Sequence, residues 1–366
     1  MDRRSGDTAF SDTMSRMSDE LLEPDIDRSA RVYLACLIGM TALIIGGAGL
    51  YLGLKPVDHF AAISPAGQSS WYQDFAGDYV TEIQDQELFF HDIGRSIEQA
   101  RKADIVILGS SLVSFALNED VIHERLETRY GLKVYNMAFV GVASGEFSRQ
   151  IIEKNDLHPR LLIINADDGG GGGNFFSRNL TRAFGPDVRP IPAVQHGRMR
   201  TYEAVIRRNL RWRFEGGTAG LRRQLALVKP GFIPRFDRNS ETGAADMTSF
   251  PRFLADDNPR VKMTRDPNCH TTPEAIATAR DFVRSVDAPV VLTLIPNFHG
   301  CFNQVKEVAE AVGIETALPA RTDYSSWDGG GHLDRNGAID FTRDLVDALE
   351  KTTAFQALRR NHAGQR

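Results

Sequence analysis

Apolar positions between residues 92 and 351 follow two recurring patterns. Four short runs are continuously apolar or nearly so: Asp104–Gly109 (DIVILG), Leu132–Ala138 (LKVYNMA), Arg160–Asp167 (RLLIINAD) and Pro289–Ile295 (PVVLTLI). A strand with one wet face would alternate, so these runs predict strands covered on both faces. Asp92–Ala103, Asn118–Arg129, Ser144–Leu157, Pro273–Val286, Gln304–Val312 and Asp334–Lys351 carry helical patterning instead, and Ile314–Pro319 reads as a weaker strand. Pro273 directly after Thr272 is a helix-start signal. Helices between doubly covered strands imply parallel crossovers, which predicts an α/β fold with a doubly wound parallel sheet. The domain spans 85–352, with an interruption at 169–272. Residues 353–366 are polar and read as a frayed tail.

A different pattern occupies the N-terminal region. Val32–Leu54 contains no charged residue and is bracketed by Arg31 and Lys55. As a helix it is roughly 35 Å long, enough to cross a bilayer core with some tilt. Its length and its distance from the start read as a retained membrane span and not as a cleaved signal segment. Arg3, Arg4, Arg16, Arg28 and Arg31 precede it, whereas Lys55 is the only basic residue between it and Arg95. That asymmetry predicts a cytoplasmic N-terminus, with the main domain on the far side of the inner membrane, which is the periplasm if the cell is Gram-negative. Residues 1–31 read as a disordered cytoplasmic tail, and 55–84, broken by prolines and glycines, as a linker.

Composition adds little to this. The chain has 366 residues, 42% hydrophobic and 25% charged, with net charge −5, which excludes a disordered or collagen-like chain and any global nucleic-acid footprint. Local charge says more. Between Phe175 and Ser240 thirteen arginines recur, from Arg178 to Arg238, and Tyr202, Ile206, Leu210 and Phe214 fall at four-residue steps. Residues 200–214 therefore predict an amphipathic helix with a basic face. That face suits anionic polysaccharide, anionic lipid or plain solvent; an exported location disfavours nucleic acid. Of three cysteines, Cys36 lies in the span, while Cys269 and Cys301 either pair in an oxidising compartment or are two unrelated small buried residues.

In open parallel sheets, ligands bind beyond the carboxyl ends of the strands. The first strand ends in Gly109-Ser110-Ser111, and the second leads to Asn136 and Gly141. The third ends in Asn165-Ala166-Asp167-Asp168. The segment before the last long helix reads Trp327-Asp328-Gly329-Gly330-Gly331-His332. Serine, histidine, acids and glycines with open backbone N–H groups thus converge on one edge, the inventory that acyl transfer needs. Gly169–Gly173 runs into Asn174-Phe175-Phe176 and lacks the Gly-Lys-Ser/Thr ending of a phosphate loop, so it reads as a hinge. His270, His299 and His332 show no metal-ligand spacing.

With these residues placed, residues 100–170 and 285–350 resemble the SGNH/GDSL hydrolase superfamily, above all its membrane-anchored, exported members linked to acylation or deacylation of surface polysaccharides. The resemblance implies a flavodoxin-like α/β/α fold, with Ser111 as nucleophile and His332 as base. It places Gly141 as a backbone oxyanion donor, and Asp167 where the family has an asparagine donor. Three positions depart from the family pattern. Ser110 replaces an aspartate; Asp167 offers a carboxylate where an amide should donate, with Asn174 a substitute donor; and Asp328 stands four residues before His332 instead of three. Asp328 is taken as the carboxylate that orients His332, with Asp323 and Asp334 as fallbacks.

The expected activity is hydrolysis or transfer of an ester, an O-acetyl group above all, on a cell-envelope carbohydrate, with no cofactor and no metal. Two alternatives remain: a catalytically inactive descendant that binds polysaccharide or scaffolds an export complex, and a lipid-directed acylhydrolase. The oligomeric state is not legible in the sequence.

Overall fold

The computed structural model describes residues 7–54, 71–75, 89, 96–139, 145–166, 175–176, 236–248, 250–262, 269–297 and 300–364. Helix α1 (Asp7–Leu54) is followed by β1 (Trp71–Phe75), α2 (Ser96–Lys102), β2 (Ile105–Leu108), α3 (Ser111–Ala116), α4 (Glu119–Ile122), β3 (Val134–Asn136), α5 (Gly145–Lys154) and β4 (Leu161–Asn165). Then come β5 (Phe236–Asn239), β6 (Ala245–Asp246), β7 (Arg260–Lys262), α6 (Pro273–Ser285), β8 (Val290–Thr293) and α7 (Phe302–Val312). The chain continues through β9 (Glu315–Thr316), β10 (Asp323–Ser325), α8 (Arg335–Leu349) and α9 (Thr353–Ala363).

Five strands pair in parallel in the order β3-β2-β4-β8-β9. The unbroken apolar runs have the cause inferred from them: alternate residues feed two separate cores. Val106, Leu108, Leu162, Ile164 and Leu292 pack with Ala100 of α2, Ile151 of α5, Phe282 of α6 and Val308 of α7. Ile105, Ile107, Leu161, Ile163 and Val291 pack with Val113 of α3, Phe341 of α8 and Phe355 of α9. Helices therefore cover both faces, and the chain reverses direction between β2 and β4. In such sheets that reversal opens the ligand crevice.

Helix starts follow local chemistry. Thr272 Oγ1 accepts the Ala275 N–H at 3.2 Å ahead of Pro273, and Asp334 Oδ1 accepts the Gly337 N–H at 2.8 Å to cap α8. Cys301, which caps α7, is joined to Cys269 by a disulfide with a Cα–Cα distance of 5.9 Å.

Three sequence expectations are corrected. Residues 353–366 are not a frayed tail: α9 buries Phe355 and Leu358 against the sheet, two apolar positions enough to dock a mostly polar helix. Residues 7–31 are not irregular, because α1 starts at Asp7; extending a formed helix gains one hydrogen bond per residue fixed. The linker expected at 55–84 holds β1, and the interruption at 169–272 contributes β5, β6 and β7. β5 pairs with β1 and β6, and β7 pairs with β10. The amphipathic helix expected at 200–214 lies outside the described residues. Within α1, Arg28–Tyr51 is long and apolar enough to cross a membrane.

Candidate active site

β2 ends at Leu108, and α3 begins at Ser111, after Gly109 and Ser110. The turn is tight: a Cβ on Gly109 would lie 2.2 Å from Val113 Cγ2 and 3.1 Å from Asn165 Cβ, so only glycine fits between α3 and β4. Ser110 Oγ accepts the Leu112 N–H at 3.3 Å as the N-cap, which leaves Ser111 as the first residue of α3 at the strand end.

Residues 326–333 fold into a closed loop after β10. Ser326 and Leu333 form an antiparallel bridge, and the Trp327 N–H donates to the His332 carbonyl at 3.2 Å. Asp328 sits at its centre. Its Oδ1 accepts the N–H groups of Gly330 (2.8 Å), Gly331 (3.1 Å) and His332 (3.2 Å). Three glycines allow the backbone to wrap a carboxylate this closely. Gly331 is the most constrained: its φ is +138°, and a Cβ there would lie 2.4 Å from Asn297 Cβ. The extra residue between Asp328 and His332 is absorbed in this wrap.

The two segments meet. Ser111 Oγ lies 3.0 Å from His332 Nε2, and His332 Nδ1 lies 2.5 Å from Asp328 Oδ2. Burial raises the Asp328 pKa, but hydrogen bonds from His332, the Gly330 N–H and the Ser326 hydroxyl outweigh it and hold the carboxyl well below the usual range. An ionised carboxylate only accepts, so a neutral His332 carries its proton on Nδ1 and turns the Nε2 lone pair to the Ser111 hydroxyl. The His332 and Asp328 side chains are 29% and 25% exposed, so the pair is reachable from solvent.

Asp323 and Asp334 do not take this role. Asp323 pairs with Arg260 at 3.1 Å, and Asp334 accepts from Ser325 Oγ at 2.6 Å besides capping α8. Gly141, Asp167 and Asn174 lie outside the described residues, as do Asp168 and His299. Among the described residues, no group of three or more His, Cys, Asp or Glu is placed to hold a metal ion.

Three contributors escaped sequence reasoning. Ser326 is fully buried, its Oγ 2.8 Å from both Asp328 Oδ1 and the His332 carbonyl, which ties the acid to the base's own backbone. β7 pairs with β10 in the register Tyr324↔Val261, and the Ser326 N–H donates to the Pro259 carbonyl at 2.9 Å, so the interrupting segment holds the loop in place. Arg238, the last of the thirteen arginines that recur between Phe175 and Ser240, is fully buried. Its guanidinium donates to the carbonyls of Asn136 (2.6 Å), Ala138 (2.6 Å) and Gly243, which secures the chain leaving β3. A Ser two residues before the Asp was the only visible trace of the first. The other two have no short-range signal.

Comparison of the chain with protein-family models, curated proteins and solved structures gives no significant match.

Proposed function

We propose that the chain is a serine ester hydrolase or O-acyltransferase of SGNH type, anchored by α1 with its main domain outside the inner membrane, acting on acyl esters of a cell-envelope carbohydrate. The observation that carries this reading is the Ser111–His332–Asp328 chain, with contacts of 3.0 and 2.5 Å. It lies at the carboxyl ends of the strands, beside the reversal of the sheet.

The chemistry follows from the geometry. Ser111 Oγ attacks the acyl carbonyl while its proton passes to His332 Nε2, and the carbonyl π pair moves to oxygen. The Ser111 N–H, at the start of α3 where backbone donors have no intrahelical acceptor, is one candidate for that oxyanion; the Gly141 N–H is the other. As the carbonyl re-forms, the bond to the alcohol oxygen breaks, and that oxygen takes the proton from Nε2. Water then repeats the sequence and releases the acid, or a second sugar hydroxyl takes the acyl group. Asp328 is a positioning residue: it keeps the proton on Nδ1 and stabilises the imidazolium as it forms.

The carbohydrate half of the proposal rests on the resemblance to anchored, exported family members. The Cys269–Cys301 disulfide supports the location, since such bonds persist in oxidising compartments. The test is labelling and turnover with the full chain in detergent micelles. A fluorophosphonate should label Ser111, and 4-nitrophenyl acetate should be hydrolysed. Folded protein that does neither is a binding or scaffold protein, the alternative favoured by the carboxylate at Asp167.

A further inference from the structure

A group of rings packs against the imidazole and has no part in the proposed chemistry. The centroid of Phe115 lies 4.7 Å from that of His332, and the Trp327 indole stacks on the imidazole at 5.7 Å with 21° between planes. Phe250 lies 5.6 Å from Trp327 and 6.2 Å from Phe115, and Met247 and Phe253 complete the cluster. Phe115 and Met247 are buried, but Phe250, Phe253 and Trp327 are only half-buried. Leu254 beside them is 43% exposed, and among the described residues outside α1 it is the only large hydrophobic so exposed.

Proton transfer assigns this wall to one half of an ester. Nε2 must hand its proton to the leaving alcohol oxygen, so that oxygen has to come within hydrogen-bond reach of the imidazole. The alcohol therefore sits on the histidine side of Ser111, and the acyl group points away from it. Rings packed on the imidazole border the alcohol. We propose that Trp327, Phe250 and Phe253 form the subsite for the alcohol half of the substrate, and that it takes a sugar ring. The inference rests on the acyl-transfer reading above and specifies its substrate.

A sugar fits this surface better than an alkyl chain. The apolar wall is short, and the turn that carries it also exposes Arg252, Asp256 and Asp257. A pyranose has an apolar C–H face for the rings and a rim of hydroxyls for the polar neighbours. A long alkyl alcohol would leave those charges against hydrocarbon.

The experiment varies the alcohol at constant acetyl group. The full chain in micelles is assayed for acetate release from an acetylated xylo-oligosaccharide, from decyl acetate, and from trifluoroethyl acetate, whose activated alcohol has no ring. Phe250→Leu keeps bulk but removes the flat face. It should raise KM for the sugar ester about tenfold and lower the preference for sugar ester over trifluoroethyl acetate by the same factor. Trp327→Ala should lower that preference further, with added loss on every ester because it also packs His332. A preference unchanged in both variants overturns the subsite, as does wild-type preference for decyl acetate, which would assign the wall to a lipid alcohol. Hydrolysis of trifluoroethyl acetate and labelling of Ser111 with the sugar ester untouched also overturn the subsite, but leave the acyl-transfer reading standing. Failure of all three esters, without labelling, overturns both.

Discussion

Each end of the parallel sheet holds a histidine beside an aspartate, and the two pairs differ in what surrounds them. At the carboxyl end, Asp328 meets His332 Nδ1 and leaves Nε2 facing a hydroxyl, with both side chains partly open to solvent. At the amino end, Asp104 accepts the Lys133 N–H at 2.9 Å and Arg160 Nη1 at 3.2 Å, and His362 Nδ1 stands 3.8 Å away. Arg160 Nη1 also donates to His362 Nδ1 at 3.0 Å, and the far nitrogen of His362 is buried with no partner among the described residues. The amino-end network ties α9 to the feet of β2 and β4. A carboxylate beside an imidazole is a common structural device. Reaction requires a nucleophile on the far nitrogen and room for a substrate.

The sharpest test of that contrast is Ser111→Ala. Turnover should fall by roughly three to six powers of ten, since removing a nucleophile collapses the whole mechanism. Asp328→Asn comes next. An amide cannot fix the proton on Nδ1, so kcat should fall by up to about four powers of ten with the fold intact by circular dichroism. Ser326→Ala removes one hydrogen bond that holds the acid, and about a tenfold drop in kcat with unchanged KM is expected. At the other end, His362→Ala should leave turnover at the wild-type level and lower the unfolding free energy by about 1 kcal/mol, read from the shift in denaturation midpoint. Equal loss of activity at both ends would collapse the comparison.

A pH series gives a smaller but more specific signal. The folded-state pKa of Asp328 lies below its ordinary value, so its interactions stabilise the fold fully above about pH 4. That contribution is lost as pH falls through the depressed value. The difference in Tm between wild type and Asp328→Asn should be level from neutral pH to about pH 5 and shrink below about pH 4. A gap that widens under acid would mean that the carboxyl is not held low.

The sheet was legible in the chain because a strand covered on both faces leaves an unbroken apolar run, as Ile105–Leu108 and Leu161–Asn165 do. Ser111 was a candidate because strand ends mark where such sheets bind, and His332 because the segment before α8 was expected at the same edge. α9 was missed: Phe355 and Leu358 stand alone among polar neighbours, and two positions make no period. The short helix α3 was missed too, because six residues after a glycine carry no helical repeat.

The sequence by itself determined the layered α/β architecture, the apolar segment in α1 and the order in which the chemical groups appear, since each is written in local composition and spacing. Only the tertiary structure decided which aspartate faces His332, that Arg238 turns inward, and that Phe250 and Pro259 meet the segment carrying His332. Those outcomes depend on contacts between residues far apart in the chain, such as Ser111 with His332 and Val261 with Tyr324. No local pattern encodes a partner that only folding brings within reach.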